Sequence, residues 1–300
     1  MKLFLVLLGL SVAAGVKYDG LRVTYGPLEK DSKDFFFNIP RTIVEAVKEG
    51  WCKTERPPGP LEQLELYCSP GYYVCLLFTP SGMAAGLQLA FPADDLITAV
   101  IDKNKWFTDW YVSTADGEPA KKYLALSQYW VSEEFLAAGG PTVENGSTLQ
   151  DDGIWVYNHS GELMRIPKTE AEINCTTRFT KQNCTPRMGT HYHYNMTREM
   201  LCENQLPWFA LTIKGELIGS GLQFFGDLTK SPAYREWFEK FRGRKVERSA
   251  VPFGPPCLYD LADAYPIFSL HIYYIDNPDS IKCRREDSAD PSTTPEYGDQ

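Results

Sequence analysis

The chain is short of several things, and each shortage excludes something. Its 300 residues contain only four histidines, His159, His191, His193 and His271, so any imidazole centre must draw on these. No Cys-x-x-Cys pair occurs, which argues against a zinc ribbon or a thioredoxin-like redox centre. There is no Gly-x-Ser-x-Gly elbow, His-Glu-x-x-His pair, P-loop or Gly-x-Gly-x-x-Gly fingerprint, so the familiar hydrolase, metalloprotease and nucleotide signatures are missing. No basic run is present and the formal charge is −9. Such a chain repels a phosphate backbone, and nucleic-acid binding is not expected. No apolar stretch reaches the roughly 20 residues that a membrane span requires.

What is present points outside the cytosol. Met1 to about Gly15 reads as a secretory signal peptide: Lys2 is the charged start, Leu3 to Leu10 the apolar centre, and Ala13 and Gly15 the small residues of a cleavage site. Eight cysteines remain after it, Cys52, Cys68, Cys75, Cys175, Cys184, Cys202, Cys257 and Cys283. An even number in an oxidising compartment implies up to four disulfides, whose pairing the sequence leaves open. Five Asn-x-Ser/Thr sites cluster between residues 145 and 195: Asn145, Asn158, Asn174, Asn183 and Asn195. Each can carry a glycan where its loop is exposed. Pro186 makes Asn183 the poorest of the five. The expected product is a secreted, extracellular glycoprotein.

The predicted fold class is α+β: mainly antiparallel β hairpins, a few amphipathic helices and disulfide staples. Strand-length apolar runs flank turn clusters at Tyr72–Phe78 with Met83–Phe91, at Ile154–Ile166, and at Trp208–Ile213 with Leu217–Phe225. Single strands are expected at Tyr123–Val131 and Ile267–Ile275. Two helices are expected. One follows Asp94 or Asp95, with Leu96, Ile97, Val100 and Ile101 as its stripe; the other runs from Ser231, with Tyr234, Trp237, Phe238 and Phe241 on one face. Gly86-Leu87-Gln88 and Gly221-Leu222-Gln223 suggest a duplicated hairpin–helix–strand module, near 16–145 and 146–283, followed by a disordered acidic tail at 284–300. Three cysteines in the first module and five in the second would force an odd number of bridges between them, with a ligand cleft at the seam.

Met188 to Met196 carries the most distinctive chemistry. In a strand, His191 and His193 share one face, with Tyr192 and Tyr194 on the other. His271, in the strand Ile267–Ile275, supplies a third imidazole if that strand lies nearby. Three histidines suit copper or zinc, and Met188 or Met196 would add a soft ligand. Trp106 and Trp110 offer either core packing or a ligand platform. Two functions are therefore expected: binding of a small apolar or aromatic ligand or an extracellular protein partner; or metal-dependent oxidoreductase chemistry at the His-x-His site.

Overall fold

The computed structural model describes residues 15–24, 35–113, 119–243 and 245–289. The signal peptide lies almost wholly outside these, as do residues 290–300. In chain order the strands of the first half are β1 (Arg22–Thr24), β2 (Phe36–Asn38), β3 (Cys52–Thr54), β4 (Glu65–Cys68), β5 (Val74–Phe78), β6 (Ala84–Pro92), β7 (Leu96–Thr98), β8 (Thr108–Val112) and β9 (Lys121–Tyr129). They continue as β10 (Gly153–Tyr157), β11 (Leu163–Pro167), β12 (Phe179–Thr185), β13 (Gly189–Tyr194), β14 (Trp208–Ile213), β15 (Glu216–Leu228), β16 (Glu239–Phe241) and β17 (Ile267–Tyr273). The helices are short: α1 (Ile43–Lys48), α2 (Lys103–Trp106), α3 (Glu133–Ala137), α4 (Glu170–Thr176), α5 (Lys245–Ser249) and α6 (Pro256–Ala264).

Two antiparallel sheets result. One runs β11-β10-β9-β6-β5-β4-β3, with β8 beside β9; the other runs β12-β13-β14-β15-β17-β1-β2, with β7 and β16 attached. The connectivity repeats. A β3-β4-β5-β6 meander continues into β9, as a β12-β13-β14-β15 meander continues into β17. The expected hairpins therefore form, and Gly86 and Gly221 occupy the corresponding strands β6 and β15.

The sheets close on one core rather than on a cleft. Phe91 of β6 meets Phe224 of β15 and Phe268 of β17, each with ring centroids 5.8 Å away, and Phe238 at 5.3 Å. Gln128 of β9 reaches across the same seam, its Oε1 accepting from Ser220 Oγ and Tyr274 Oη, each at 3.0 Å. A buried acceptor paired this way costs little and fixes how the sheets meet. Trp106 and Trp110 are both buried, in core packing rather than an exposed platform.

Both expected helices give way to extended chain. Leu96–Thr98 forms β7 and pairs with Gly226–Leu228. Ile97 and Val100 of the supposed apolar stripe are 51 % and 45 % exposed, so a helix would have had no face to bury. Instead the ladder satisfies the backbone, and pairing outweighs local propensity. In the second case Trp237 and Phe238, adjacent in sequence, are both buried, and Glu239–Phe241 pairs with Ile267–Ser269. Tyr234 stays exposed.

Three disulfides form: Cys68–Cys75, Cys184–Cys283 and Cys202–Cys257. None links the two expected modules. Cys52 and Cys175 are exposed and unpaired. Cys52 sits in β3 at one end of its sheet, whereas Cys175 sits in α4, just after β11 at the other end. That separation keeps them apart. Residues 284–289, expected in the tail, make native contacts: Ala289 N–H donates to Gln182 O, and Asp287 is buried beside Arg284. No helix among the described residues is long and apolar enough to cross a membrane. The disulfides are compatible with a secreted protein.

Candidate functional site

Four adjacent strands place the histidines. Across β13, β14, β15 and β17 the register partners are His193, Phe209, Gly221 and His271. One step along, His191 aligns with Leu211, Gly219 and Tyr273. Opposed residues share a face, so all three imidazoles project from the same side of the sheet. Tyr192 points the other way, into the inter-sheet core, as alternation requires.

The histidine face is sealed. Met196, Val246, Val251 and Leu258 form an apolar cluster on one flank with Phe225 and Ile267. Phe35, Phe36 and Ile281 form another with Phe209 and Tyr273. His191, His193 and His271 are 2 %, 2 % and 4 % exposed.

Glycine makes room for this layer. A Cβ on Gly221 would stand 2.1 Å from Phe209 Cζ, so the Phe209 ring folds over the bare backbone there. That ring then touches all three imidazoles, with centroids 5.6 Å from His191, 5.2 Å from His193 and 5.1 Å from His271. Phe209 lies between His193, its partner in β13, and His271, which stands beyond Gly221 in β17.

His191 and His271 meet directly, with their Nε2 atoms 3.4 Å apart. Each ring is held from behind. His191 Nδ1 lies 3.3 Å from the Asn183 carbonyl oxygen, and a carbonyl only accepts, so Nδ1 carries the proton. His271 Nδ1 lies 3.0 Å from Glu239 Oε2 and 3.5 Å from Ser269 Oγ. A carboxylate there fixes the proton on Nδ1 as well. Both Nε2 lone pairs then face each other, and an electropositive centre is needed between them. Glu239 is 1 % exposed, and neither oxygen has a well-aligned hydrogen bond among the described residues. The distance to His271 is that of an ion pair without the alignment of a hydrogen bond.

Burial, followed by the neighbouring imidazoles, holds His191 well below the usual histidine range. Burial and then His271 push His193 down to about 3. Its Nε2 is buried without a hydrogen-bond partner among the described residues. Both rings are therefore neutral at physiological pH. Tyr273 is raised well above its ordinary value, first by burial and then by the Glu239 charge.

The expected trio thus converges, but unequally. Among the described residues no three His, Cys, Asp or Glu side chains are arranged to hold one metal ion. His191 and His271 form the pair, and His193 stands beyond Phe209. Met196 is buried in the adjoining cluster and Met188 lies in the other. Glu239 escaped the sequence reading because it fell inside a supposed helix; its signal was a lone carboxylate within Trp237-Phe238-Glu239-Lys240-Phe241. His159 lies elsewhere, against Trp106. Of the glycan acceptors, Asn145 and Asn174 are exposed and Asn158, Asn183 and Asn195 half-buried. Asn183 Nδ2 donates to Arg248 O at 3.2 Å.

A separate surface cleft of about 420 Å³ is lined by Asp19, Asn38, Arg41, Glu45, Lys48 and Asp276, among others. Comparison with known proteins finds no family model, no curated protein and no solved structure that matches this chain.

Proposed function

We propose that this chain is an extracellular glycoprotein that holds one transition-metal ion, copper or zinc, between His191 and His271. The observation that carries the reading is the 3.4 Å separation of two Nε2 atoms whose rings each have an acceptor oxygen beside Nδ1 on the far side. Two imidazole nitrogens bound at ~2 Å with a tetrahedral angle stand about 3.3 Å apart. Glu239 behind His271 is the carboxylate partner that orients and strengthens a metal-bound histidine. A cation at this point would also balance the buried Glu239 charge, which otherwise stays costly.

Two protein ligands leave coordination positions open. The sealed surroundings favour a stabilising ion over a catalytic one. Oxidoreductase chemistry would require the segment carrying α5 and α6 to move aside. The repeated strand connectivity supports the reading of two related modules, the second of which bears the site.

Binding of a separate ligand is a second reading, favoured by the open cleft beside α1. Its lining carries both charge signs, so a polar, zwitterionic molecule suits it better than an apolar one.

The test is metal content. The untagged protein, purified from a eukaryotic secretion host, is assayed for Cu, Zn, Fe and Mn beside a His191→Ala/His271→Ala variant. The proposal expects close to one Cu or Zn per chain, lost in the variant. Equal metal in both proteins, or none in either after loading, would show that a shared proton rather than an ion joins the two rings.

A further inference from the structure

Three cysteines stand in a single cross-strand row at the far end of the other sheet. Cys52 of β3 is the register partner of Cys68 in β4, and Cys68 is the register partner of Cys75 in β5. Directly opposed residues project to one face, with Cβ atoms about 4.5–5.5 Å apart. Cys68 and Cys75 are joined by a disulfide. Cys52 is unpaired and exposed, on the strand that ends the sheet. Cys68 is 2 % exposed and Cys75 fully buried. A free thiol therefore stands beside a disulfide, and the sulfur that the register brings to it is that of Cys68.

We propose that Cys52, Cys68 and Cys75 form a thiol–disulfide exchange relay, independent of any metal site. The Cys52 thiolate attacks Cys68 Sγ. The Cys52–Cys68 bond forms as the Cys68–Cys75 bond breaks, and Cys75 leaves as the thiolate and takes up the proton that Cys52 released. Electrons and protons balance within the chain, so no outside oxidant or reductant takes part. The two isomers differ in what they show to solvent. With Cys68–Cys75 closed, the protein presents the Cys52 thiol, which can form a mixed disulfide with an extracellular disulfide-bearing partner. With Cys52–Cys68 closed, the thiol left at this end of the sheet is the buried Cys75, and this end offers nothing reactive to solvent.

Cys175 supplies an internal reference. It is exposed and unpaired, and none of the three disulfides has it as a strand partner. The full secreted chain is equilibrated at pH 8, quenched in acid, and alkylated with N-ethylmaleimide in acidic denaturant. Trypsin and chymotrypsin then separate the three cysteines for mass spectrometry. In Cys75→Ser the relay expects a Cys52–Cys68 disulfide, with Cys175 as the labelled cysteine; labelling of both Cys52 and Cys68 in the folded variant overturns it. Wild type covers the case in which that variant fails to fold. There Cys75 should be labelled to at least about a tenth of the Cys175 level, since the exchange converts like bonds into like, and Cys52→Ser should abolish that label. Equal Cys75 labelling in wild type and Cys52→Ser overturns the relay.

Discussion

Acid should unfold the metal-free protein through its buried histidines, well before its carboxylates titrate. His191 and His193 are held neutral, His191 well below the ordinary value and His193 down to about 3. In the unfolded chain each takes up a proton near pH 6.5. For a base whose folded pKa is depressed, the native state binds fewer protons than the unfolded state. Its contribution is complete above pH 6.5 and is lost as pH falls from there toward the folded value. Each such histidine changes stability by about 1.4 kcal/mol per pH unit inside that window. Two of them give up to about 2.7 kcal/mol per unit between pH 6 and 5, a large part of the 5–15 kcal/mol typical of a domain. Carboxylates held below their ordinary range, such as Asp95 and Asp287, begin to lose their contribution only below about pH 5, which leaves the range above it to the histidines. Urea midpoints measured in EDTA at pH 7, 6 and 5 give the slope directly. His193→Leu should halve it and leave stability at pH 7 within about 1 kcal/mol, because the replaced Nε2 has no partner. A stability flat from pH 6.5 to 5, or a slope that His193→Leu does not change, would refute the burial argument.

Three further outcomes follow from the packing. Gly221→Ala drives a methyl into the Phe209 ring; overpacking of this kind should cost about 1–3 kcal/mol in urea unfolding, and Phe209 should shift against all three imidazoles by NMR. Glu239→Gln keeps the shape but removes the carboxylate behind His271, so metal affinity by competition with a chelator should fall about 10–100-fold. Cys184→Ala/Cys283→Ala opens a link spanning 99 residues; the chain-entropy relation gives a loss of about 4–5 kcal/mol, and hydrogen exchange should show residues 278–289 released from β12.

Most of the strand framework was legible in the sequence because it is written in continuous apolar runs between turn residues. Trp208–Ile213 matches β14 residue for residue, and the return strands near 123–131 and 267–275 appear where alternation placed them. The helices misled because aromatic spacing at i, i+3, i+4 and i+7 also occurs by accident in extended chain. Trp237 and Phe238 bury together only when the segment is unwound, and the ladder to Ile267–Ser269 then satisfies its backbone. The seam misled for a different reason. Counting cysteines presumed that all eight were bridged, whereas sheet order keeps Cys52 and Cys175 at opposite ends.

At the site, periodicity was enough to put His191 and His193 on one face. Bringing His271 to the same face needed β14 and β15 to intervene, which no local pattern specifies. The unequal outcome, with a pair and an outlier, rests on Phe209 lying over Gly221. The sequence marks that glycine only as part of a repeated Gly-Leu-Gln in a strand, while the fold uses it as the floor beneath an aromatic ring. Glu239 became visible only once its segment was known to be a strand.

The central claim is that an ion joins His191 to His271, and X-ray absorption at the metal edge of the copper- or zinc-loaded protein tests it most directly. The account predicts imidazole scattering from two histidines with nitrogen at ~2 Å, reduced to one in His271→Ala. Bound metal with no imidazole signature, or a signature unchanged in that variant, would contradict it.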